Sequence, residues 1–263
     1  MHPLIYLPLC AWAIVSIIMF VAWIWGTKIK NYSVVDAFWA FNFAVIAIFI
    51  YFNAEGNETR KLIVCSLSFL WSLRLGIHLS KRIFSHLDIE EGRYKQLRQE
   101  WSNNINLKFF LFFQMQALSN VLLALPFFII ATNLNPKICW LEYVGAAVWL
   151  ISIIGEAMAD WQLDHFKKNP ANKGKVCAEG LWYYSRHPNY FFQLMIWIGV
   201  FIFSVSSPYG WLAILSPLSI GYLLFKVTGI PMTEEQSLRS KGDAYREYQR
   251  TTSVFVPWKK LNK

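Results

Sequence analysis

Acidic, basic and imidazole side chains occur inside long apolar runs of this sequence, where charge is costly. Asp36 opens the run VVDAFWAF, and Arg74 and His78 are four residues apart in a later run. Glu156 and Asp160 are also four residues apart, so a helix would present both carboxylates on one face. Ionisable residues at membrane depth commonly mark functional sites. Two adjacent carboxylates need a cation or hydrogen-bond donors between them, and a ligand amide, ribose hydroxyls or a basic residue would serve.

Other polar residues in the apolar runs have a structural interpretation. Polar side chains often tie membrane helices together, which is the favoured role here for Gln114, Gln116 and Asn120. Arg74 is open to both interpretations, because it would also neutralise an acid such as Asp36.

The densest motif is GLWYYSRHPNYFFQ, residues 180–193. Pro188 suits the first turn of a helix, which puts Arg186 and His187 at the N-terminus of that helix. A guanidinium and an imidazole in this place could bind phosphate, and the neighbouring tyrosines could hold a planar ring. The alternative is an aromatic belt at the membrane interface, which explains the tyrosines but not the order Arg-His-Pro-Asn.

Long apolar helices are the elements that would position these residues. Apolar residues make up 56% and charged residues 16% of the 263-residue chain, against about a quarter charged in soluble proteins. A membrane span needs about 20 mostly apolar residues. Seven stretches qualify: 4–26, 33–52, 61–80, 107–132, 138–160, 191–207 and 209–228. The runs are continuous rather than alternating, so the sequence predicts an all-α fold, a polytopic integral membrane bundle of seven transmembrane helices.

The basic residues predict the orientation of this bundle. Of the 25 Lys and Arg residues, 19, including Lys263, follow odd-numbered spans. The positive-inside rule then places the N-terminus outside and the C-terminus in the cytoplasm. The polar segments 81–106, 161–190 and 229–263 would share the cytoplasmic side, where their charge attracts anionic lipid. The membrane would be a bacterial inner membrane or the endoplasmic reticulum, depending on the source.

Two further classes of site are not expected. The basic residues are scattered over short loops, so the charge of +9 does not predict nucleic-acid binding. The four cysteines form neither a disulfide framework nor a zinc signature, so no metal site is predicted.

The last polar segment carries a further compact group of polar and aromatic residues. It begins with Glu234 and Glu235 and contains Tyr245, Arg246 and Tyr248. An ordinary amphipathic surface helix would explain this segment by itself. Its occurrence together with the Arg-His-Pro motif favours a shared site.

Taken together, these motifs resemble the steroid 5α-reductase C-terminal domain family. The similar motifs are E-x-x-x-D-x-Q at 156–162, GLWYYSRHPNYF at 180–191 and the tail EE…L…Y-x-x-Y…F-x-P. The segment EEGRY at 90–94, after the third span, is similar to the short bacterial branch of that family. The resemblance covers nearly the whole chain. It implies one membrane domain, residues 1–263, in which residues 156–257 form the cofactor-binding part.

The resemblance implies a seven-helix membrane enzyme that reduces a C=C bond conjugated to a carbonyl. The typical reaction is reduction of the Δ4 bond of a 3-oxo steroid with NADPH, so the partner is a lipophilic enone in the lipid bilayer. No obligatory protein partner is expected. The implied cofactor site comprises Arg93, Glu156, Asp160, Lys167, Lys175, Tyr184, Arg186, His187, Asn189, Tyr190, Trp197, Glu234, Glu235, Tyr245, Arg246 and Tyr248.

The substrate side is predicted from chemistry as well as from the resemblance. Hydride addition to an enone places negative charge on the carbonyl oxygen, and a proton donor or hydrogen bond there stabilises the enolate. The available donors are Asp36, His78 and Tyr94. Asp36 and Trp39 are the nearest counterparts of a Gln-Glu pair in the vertebrate enzymes, and Arg74 completes the predicted substrate side.

Two other functions compete with this prediction. An isoprenylcysteine carboxyl methyltransferase-like enzyme shares an Arg-His-Pro-x-Tyr turn and a late Glu-Glu, but it binds S-adenosylmethionine, which has no phosphate. The basic loops and the E-x-x-x-D-x-Q motif favour a nucleotide phosphate, and the basic excess favours NADPH over NADH. A seven-helix receptor or transporter also fits the spans, although ion-coupled carriers usually show broken helices or repeats.

One departure from the family concerns Phe192-Gln193, where many relatives show Gly-Glu.

Overall fold

The computed structural model describes residues 2–227 and 229–260 of the chain. Within these residues the secondary structure is helical, without strands, and one isolated parallel bridge joins Ser185 to Ser253. The α-helices are α1 Pro3–Lys28, α2 Val34–Asn53, α3 Glu58–Phe84, α4 Gly92–Glu100, α5 Ile105–Leu123, α6 Leu125–Ala131, α7 Trp140–Lys168, α8 Leu181–Tyr184, α9 Pro188–Ser204, α10 Leu215–Tyr222, α11 Ile230–Lys241 and α12 Asp243–Thr251. The prediction of an all-α fold is confirmed.

Shorter helical segments join some of these helices. They are the 3-10 turns Pro170–Asn172 and Gly210–Ile214 and the π-helical turn Leu223–Val227. Three residues named in the sequence predictions lie outside the described residues. They are Met1, the first residue of the predicted domain; residue 228, the end of the predicted seventh span; and Lys263, one of the basic residues that predicted orientation.

Six helical segments of the described chain are long and apolar enough to cross a membrane. They are α1, α2, α3, Ile105–Ala131, α7 and Gly210–Lys241. This set is consistent with a multi-pass integral membrane protein. The predicted span 191–207 corresponds to α9, an apolar helix of 17 residues that is shorter than the other six.

Local sequence signals explain several helix boundaries. The side chain of Asn57 accepts a hydrogen bond from the backbone N–H of Arg60 (3.2 Å) and so caps α3. The predicted span 107–132 is divided, because α5 ends at Leu123 and α6 begins at Leu125. Pro126 lacks the N–H that would continue the α5 hydrogen-bond ladder, which accounts for the interruption.

The chain divides into two compact units, one of Met1–Cys139 with Ser204–Ala213 and one of Trp140–Phe203 with Ile214–Lys263. In the first unit, α2 packs most extensively on α3, and α1 packs on α5 and α2. The second unit contains α7 to α12 apart from the end of α9. The prediction of one membrane domain over residues 1–263 stays a prediction.

Buried amides and hydroxyls connect the helices of the first unit. Asn42 Nδ2 donates to Asn120 Oδ1 (3.0 Å), and Asn120 Nδ2 donates to the backbone oxygen of Trp39 (2.9 Å). Ser72 Oγ donates to the backbone oxygen of Ala40 (2.6 Å). These bonds satisfy polar groups that would be costly in hydrocarbon, and they fix α2 against α3 and α5. Asn120 therefore ties helices together, as its place in an apolar run suggested.

Two glycines bring α7 and α9 of the second unit into close approach. A Cβ atom on Gly145 would lie 2.4 Å from the backbone nitrogen of Phe203, and one on Gly199 would lie 2.7 Å from that of Trp149. Only glycine allows the two backbones to cross at this distance. The crossing fixes α9, the helix that begins at the Arg-His-Pro motif, against α7, the helix that carries Glu156.

The turn before α9 is held against the C-terminal part of α7. Gly180 has a left-handed φ of +57°, and a Cβ atom there would lie 2.6 Å from the side chain of Gln162. Gln162 Oε1 accepts a hydrogen bond from the backbone N–H of Leu181 (2.9 Å). Trp182 Nε1 donates to the backbone oxygen of Ala159 (2.9 Å). The Arg-His-Pro motif is therefore held close to the carboxylates of α7.

Candidate functional site

Two of the predicted proton donors meet in the first unit. Tyr94, in α4, donates its hydroxyl hydrogen bond to Asp36 Oδ1 in the first turn of α2 (2.6 Å). Arg82, in the last turn of α3, lies 3.4 Å from Asp36 Oδ2 and donates from Nε to Glu91 Oε1 (2.7 Å). We call these four residues, Asp36, Arg82, Glu91 and Tyr94, the Asp36 cluster.

The Asp36 cluster combines a buried phenol with a partly exposed carboxylate. Tyr94 is fully buried, whereas 25% of the Asp36 side chain is exposed to solvent. Burial, and to a lesser degree the Asp36 carboxylate, raise the pKa of the Tyr94 hydroxyl well above its usual range, while Arg93 opposes that shift. The guanidinium of Arg93 lies 5.7 Å from the centre of the Tyr94 ring. The hydroxyl therefore stays protonated at neutral pH and can donate a hydrogen bond.

The segment between α3 and α4 is fastened to the start of α2, which explains how Tyr94 reaches Asp36. Glu90 accepts two hydrogen bonds from Arg98 (2.8 and 2.9 Å) and one from the backbone N–H of Tyr32 (2.8 Å). The backbone N–H of Glu91 donates to Ser33 Oγ (2.9 Å). Bidentate pairs between arginine and carboxylate fix geometry as well as adding energy. These contacts therefore position α4 relative to α2.

The remaining predicted substrate-side residues lie on α2 and α3. Trp39 Nε1 donates to Ser119 Oγ (2.9 Å), so its indole ring connects α2 to α5. Arg74 and His78 are partly buried on successive turns of α3. Their roles as a substrate-binding residue and a proton donor stay predictions.

A second polar cluster lies at the start of α9 in the second unit. Arg186 Nε donates to Glu234 Oε1 (2.6 Å), and His187 Nε2 lies 3.2 Å from the same oxygen. Gln249 Nε2 donates to Glu234 Oε2 (2.9 Å). Arg186 Nη1 also donates to the backbone oxygens of Gln249 (2.9 Å) and Thr252 (2.7 Å). We call Arg186, His187, Glu234 and Gln249 the Glu234 cluster.

The Glu234 cluster joins three separate stretches of sequence. Arg186 and His187 precede α9, Glu234 lies on α11 and Gln249 lies on α12. Both oxygens of Glu234 accept hydrogen bonds, and the guanidinium of Arg186 is largely engaged within the protein. Arg186 thus holds the C-terminal segment in place in this structure. Its predicted contact with a phosphate stays a prediction.

The predicted residues Asp160, Asn189 and Tyr190 lie next to His187 of this cluster. Asn189 Nδ2 donates to Asp160 Oδ1 (3.1 Å), and Asn189 Oδ1 accepts from the backbone N–H of Tyr190 (3.0 Å). The rings of His187 and Tyr190 are parallel within 4°, with centroids 5.4 Å apart. The Tyr190 hydroxyl forms a hydrogen bond with Thr233 Oγ1 (3.1 Å). These contacts fix the Asn189 amide and the Tyr190 ring in single orientations.

Glu156 and Trp197, two further predicted residues, are connected through Gln193. Glu156 is buried on α7, one turn before Asp160. The Gln193 amide orientation that satisfies its neighbours lets its nitrogen donate to Glu156 Oε1 (2.5 Å) and its oxygen accept from Trp197 Nε1 (3.2 Å). The glutamine that departs from the family pattern thus supplies a donor to a buried carboxylate.

Tyr245 and Tyr248 lie in the interior of the second unit. The Tyr248 hydroxyl donates to the backbone oxygens of Trp182 and Ser185, so it supports the turn before α9. Burial raises the pKa of Tyr245 to about 12, and the charge of Glu234 adds to the shift. Burial likewise raises the pKa of Tyr248. Both tyrosines are therefore neutral at physiological pH.

The other predicted cofactor residues lie at the protein surface. Lys167, Lys175 and Tyr184 are exposed. Arg246 and Glu235 are also exposed, and each forms an ion pair with a residue of its own helix. The structure therefore does not bring these five side chains into the Glu234 cluster. No group of three or more His, Cys, Asp or Glu residues in the described part of the chain could hold a metal ion.

A comparison with known proteins identifies the family of the chain. The family model described as "Protein of unknown function (DUF1295)" matches residues 22–252. The chain belongs to this family. An uncharacterized protein of Schizosaccharomyces pombe is 26% identical over 269 residues, which cover 89% of this chain and 75% of the yeast protein. No solved structure matches the chain.

The DUF1295 match includes both polar clusters, and it also includes residues that sequence reasoning did not assign to a site. Arg82 and Glu91 complete the Asp36 cluster, and Gln249 completes the Glu234 cluster. Thr233 bonds the predicted Tyr190. Each is a polar residue in or next to a polar segment of the sequence, which is a weak signal without the fold. In the sequence, the EEGRY motif and the EE tail were the patterns that indicated that these stretches of chain belong to a site.

Proposed function

We propose that this chain is a membrane-embedded, NADPH-dependent oxidoreductase of the 3-oxo-5α-steroid 4-dehydrogenase type. It would reduce a C=C bond conjugated to a ketone, with the Δ4 bond of a 3-oxo steroid as the first choice of substrate. The observation that carries the proposal is the partly buried hydrogen bond between Tyr94 and Asp36. The DUF1295 family is associated with steroid 5α-reductase-like membrane proteins, which adds support for this reaction.

The Asp36 cluster has the chemistry that the ketone oxygen of an enone requires. As the β-carbon of the enone accepts a hydride, negative charge develops on this oxygen. The Tyr94 hydroxyl has a single proton, which it donates to Asp36 in this structure. On substrate binding it would give up the bond to Asp36 and donate this proton to the ketone oxygen. Arg82 would stabilise the Asp36 carboxylate from its other side. In this proposal, Tyr94 gives its proton to the enolate oxygen, and the partly exposed Asp36 relays a proton from solvent back to the Tyr94 oxygen. The resulting enol tautomerises to the saturated ketone.

The side chains of the second unit fit an anionic dinucleotide by their chemistry. Asp160 and Asn189 would bind hydroxyl or amide groups, because a carboxylate accepts hydrogen bonds and an amide both donates and accepts them. Lys167 and Lys175 are exposed cations suited to phosphate groups. The parallel ring of Tyr190 would hold a planar group. Bound NADPH would supply the hydride.

The proposal includes the finer topology predicted from sequence. We infer seven spans, with α9 as the short sixth span, the N-terminus outside and the C-terminus in the cytoplasm. The distribution of Lys and Arg supports this arrangement. A Lys173→Cys variant is expected to react with an impermeant maleimide only from the cytoplasmic side of sealed vesicles. Labelling of that cysteine only from the outer side would contradict the orientation.

The reaction is tested with the purified full chain in detergent or lipid nanodiscs. We expect NADPH oxidation to depend on a 3-oxo-Δ4-steroid and the product to gain two mass units by mass spectrometry. The matching 3-oxo-5α-steroid, which lacks the C=C bond, is the control and should give no turnover. Absence of steroid-dependent NADPH oxidation, or methyl transfer from S-adenosylmethionine to a lipid substrate instead, would contradict the proposal.

A further inference from the structure

The C-terminal segment after α12 runs along the turn before α9 and bends at residues 252 and 254–256. The backbone N–H of Arg186 donates to the backbone oxygen of Ser253 (2.9 Å), and that of Trp258 donates to the backbone oxygen of Tyr184 (3.0 Å). Ser185 Oγ donates to the backbone oxygen of Phe255 (2.7 Å). These bonds use backbone groups or the short Ser185 side chain. The course of the segment therefore does not depend on its outward-facing side chains.

The side chains of this segment differ in exposure. Phe255 is buried, and its ring lies 5.7 Å from that of Phe191 in α9 and 4.6 Å from that of Phe225 in the π-helical turn. Val256 and Trp258 face outward, and 67% of Trp258 is exposed.

The contacts of Phe255 place this segment at one end of two apolar helices. Phe191 lies in the first turn of α9, and Phe225 lies near the end of the apolar part of Gly210–Lys241. A segment that packs on the ends of apolar helices lies at the depth of the lipid headgroups. Tryptophan is enriched at that depth, because its ring combines an apolar body with a polar N–H.

The exposed side of the segment is cationic as well as aromatic. Lys259 and Lys260 follow Trp258 directly, and residues 252–263 contain no acidic residue. Lys260 Nζ lies 4.5 Å from the centre of the exposed Tyr183 ring. Ser253, Val256, Trp258 and Lys259 line a shallow cavity of about 230 Å³. A hydroxyl, an ammonium group and an indole ring around one cavity match a phosphate with apolar chains attached.

From these observations we propose that residues 253–260 form a binding surface for an anionic phospholipid. Lys259 and Lys260 would bind the headgroup phosphate, while Trp258 and Val256 would pack against the upper part of the acyl chains. The surface is independent of the proposed reductase activity, since none of these four side chains belongs to the proposed cofactor or substrate sites. It would fix the C-terminal segment, and with it the backbone bonds to the Arg-His-Pro turn, at the membrane surface.

Lipid binding can be measured by native mass spectrometry of the full chain in detergent, titrated with phosphatidylglycerol or with zwitterionic phosphatidylcholine. We expect phosphatidylglycerol to bind more tightly than phosphatidylcholine. The double variant Lys259→Gln/Lys260→Gln should weaken phosphatidylglycerol binding about thirtyfold, the factor that two basic side chains near an anionic surface supply. Its phosphatidylcholine binding should not change. Trp258→Ala should weaken the binding of both lipids.

A matched control variant distinguishes lipid binding at this surface from a general effect of the positive charge of the protein. Lys168→Gln/Lys173→Gln removes two exposed lysines of the same unit and should leave phosphatidylglycerol affinity unchanged. The proposal is wrong if the Lys259/Lys260 variant keeps its preference for phosphatidylglycerol, or if the control loses as much affinity. It is equally wrong if millimolar inorganic phosphate displaces the lipid, because the surface would then be a simple anion site. Melting curves of each variant confirm that the fold is retained.

Discussion

Replacement of Asp36 by Asn separates a catalytic from a structural role for the Asp36 cluster. The variant keeps the shape of the side chain and an oxygen that can accept the Tyr94 hydrogen bond (2.6 Å in the unmodified protein). It removes the negative charge and the ability to transfer a proton. A structural residue and a proton donor are therefore expected to respond differently to this one change.

The expected loss of stability follows from the contacts of Asp36. A charge-assisted hydrogen bond becomes a neutral one, which costs about 1 kcal/mol. The Arg82 contact at 3.4 Å is half-exposed and contributes at most about 0.5 kcal/mol. Arg82 keeps its shorter bond to Glu91 (2.7 Å), so no cation is left without a partner. The free energy of unfolding should fall by roughly 1.5 kcal/mol at most, which is a shift of only a few degrees in melting temperature.

The expected loss of activity is much larger. General acid catalysis contributes about a 10²- to 10⁴-fold rate enhancement, so kcat for a 3-oxo-Δ4-steroid should fall by at least about 100-fold. The dissociation constant for NADPH, measured by titration calorimetry, should stay within about twofold of the unmodified value, because Asp36 belongs to the predicted substrate site and not to the cofactor site. Tyr94→Phe is the matched variant and should lose kcat to a similar degree.

Three outcomes are informative. Steroid reduction by Asp36→Asn at the unmodified rate would refute the catalytic role and make His78 the next candidate. Loss of activity together with a fall of more than about 10 °C in melting temperature would indicate a structural role instead. Loss of kcat in Asp36→Asn but not in Tyr94→Phe would assign the proton to Asp36 alone.

Three further predictions concern the second unit. Glu234→Gln removes the charge that pairs with Arg186 and should lower the free energy of unfolding by about 2 kcal/mol. The control variant Glu235→Gln, at an exposed neighbouring residue, should lower it by no more than about 0.5 kcal/mol. Equal losses would contradict a stabilising role for the Glu234 cluster. Asn189→Ala should weaken NADPH binding by about two- to threefold while the protein stays folded, because the amide exchanges one hydrogen bond for another on binding; unchanged affinity would remove this residue from the site. Because the pKa of Tyr245 is raised to about 12, its contribution to stability is complete below pH 10 and is lost as the pH rises towards 12. The melting temperature should therefore fall less between pH 10 and pH 12 in Tyr245→Phe than in the unmodified protein. An equal fall in both proteins would contradict the raised pKa.

The sequence was sufficient for the all-α fold and for most of the spans, because continuous apolar runs of about 20 residues have few other structures available. It was less informative about the position of α9, because the predicted span 191–207 and the helix both have 17 residues but the helix begins three residues earlier. The helix begins at Pro188 and ends at Ser204, so part of the predicted span 191–207 lies beyond it. Helix ends depend on local hydrogen bonds that hydropathy does not record.

Sequence reasoning found the donors Asp36 and Tyr94 but not that they touch. Their contact depends on α4, whose position is set by the hydrogen bonds of Glu90 with Arg98 and with the backbone of Tyr32. Such long-range pairs leave no periodic pattern in the sequence. The same reason explains why Arg82 was not assigned to the cluster, although it lies near the predicted membrane boundary together with Asp36.

The hydrogen bonds of the second unit also change how its predicted cofactor residues would contribute to binding. Asp160 and Asn189 already bond each other, so a ligand that bonds either residue exchanges one hydrogen bond for another, with a small net gain. Lys167 and Lys175 are exposed, and a phosphate bound to them replaces only water. Affinity for a dinucleotide should therefore come mainly from the exposed lysines. The Asp160–Asn189 pair would mainly determine how the ligand is oriented, because its geometry is set before the ligand arrives.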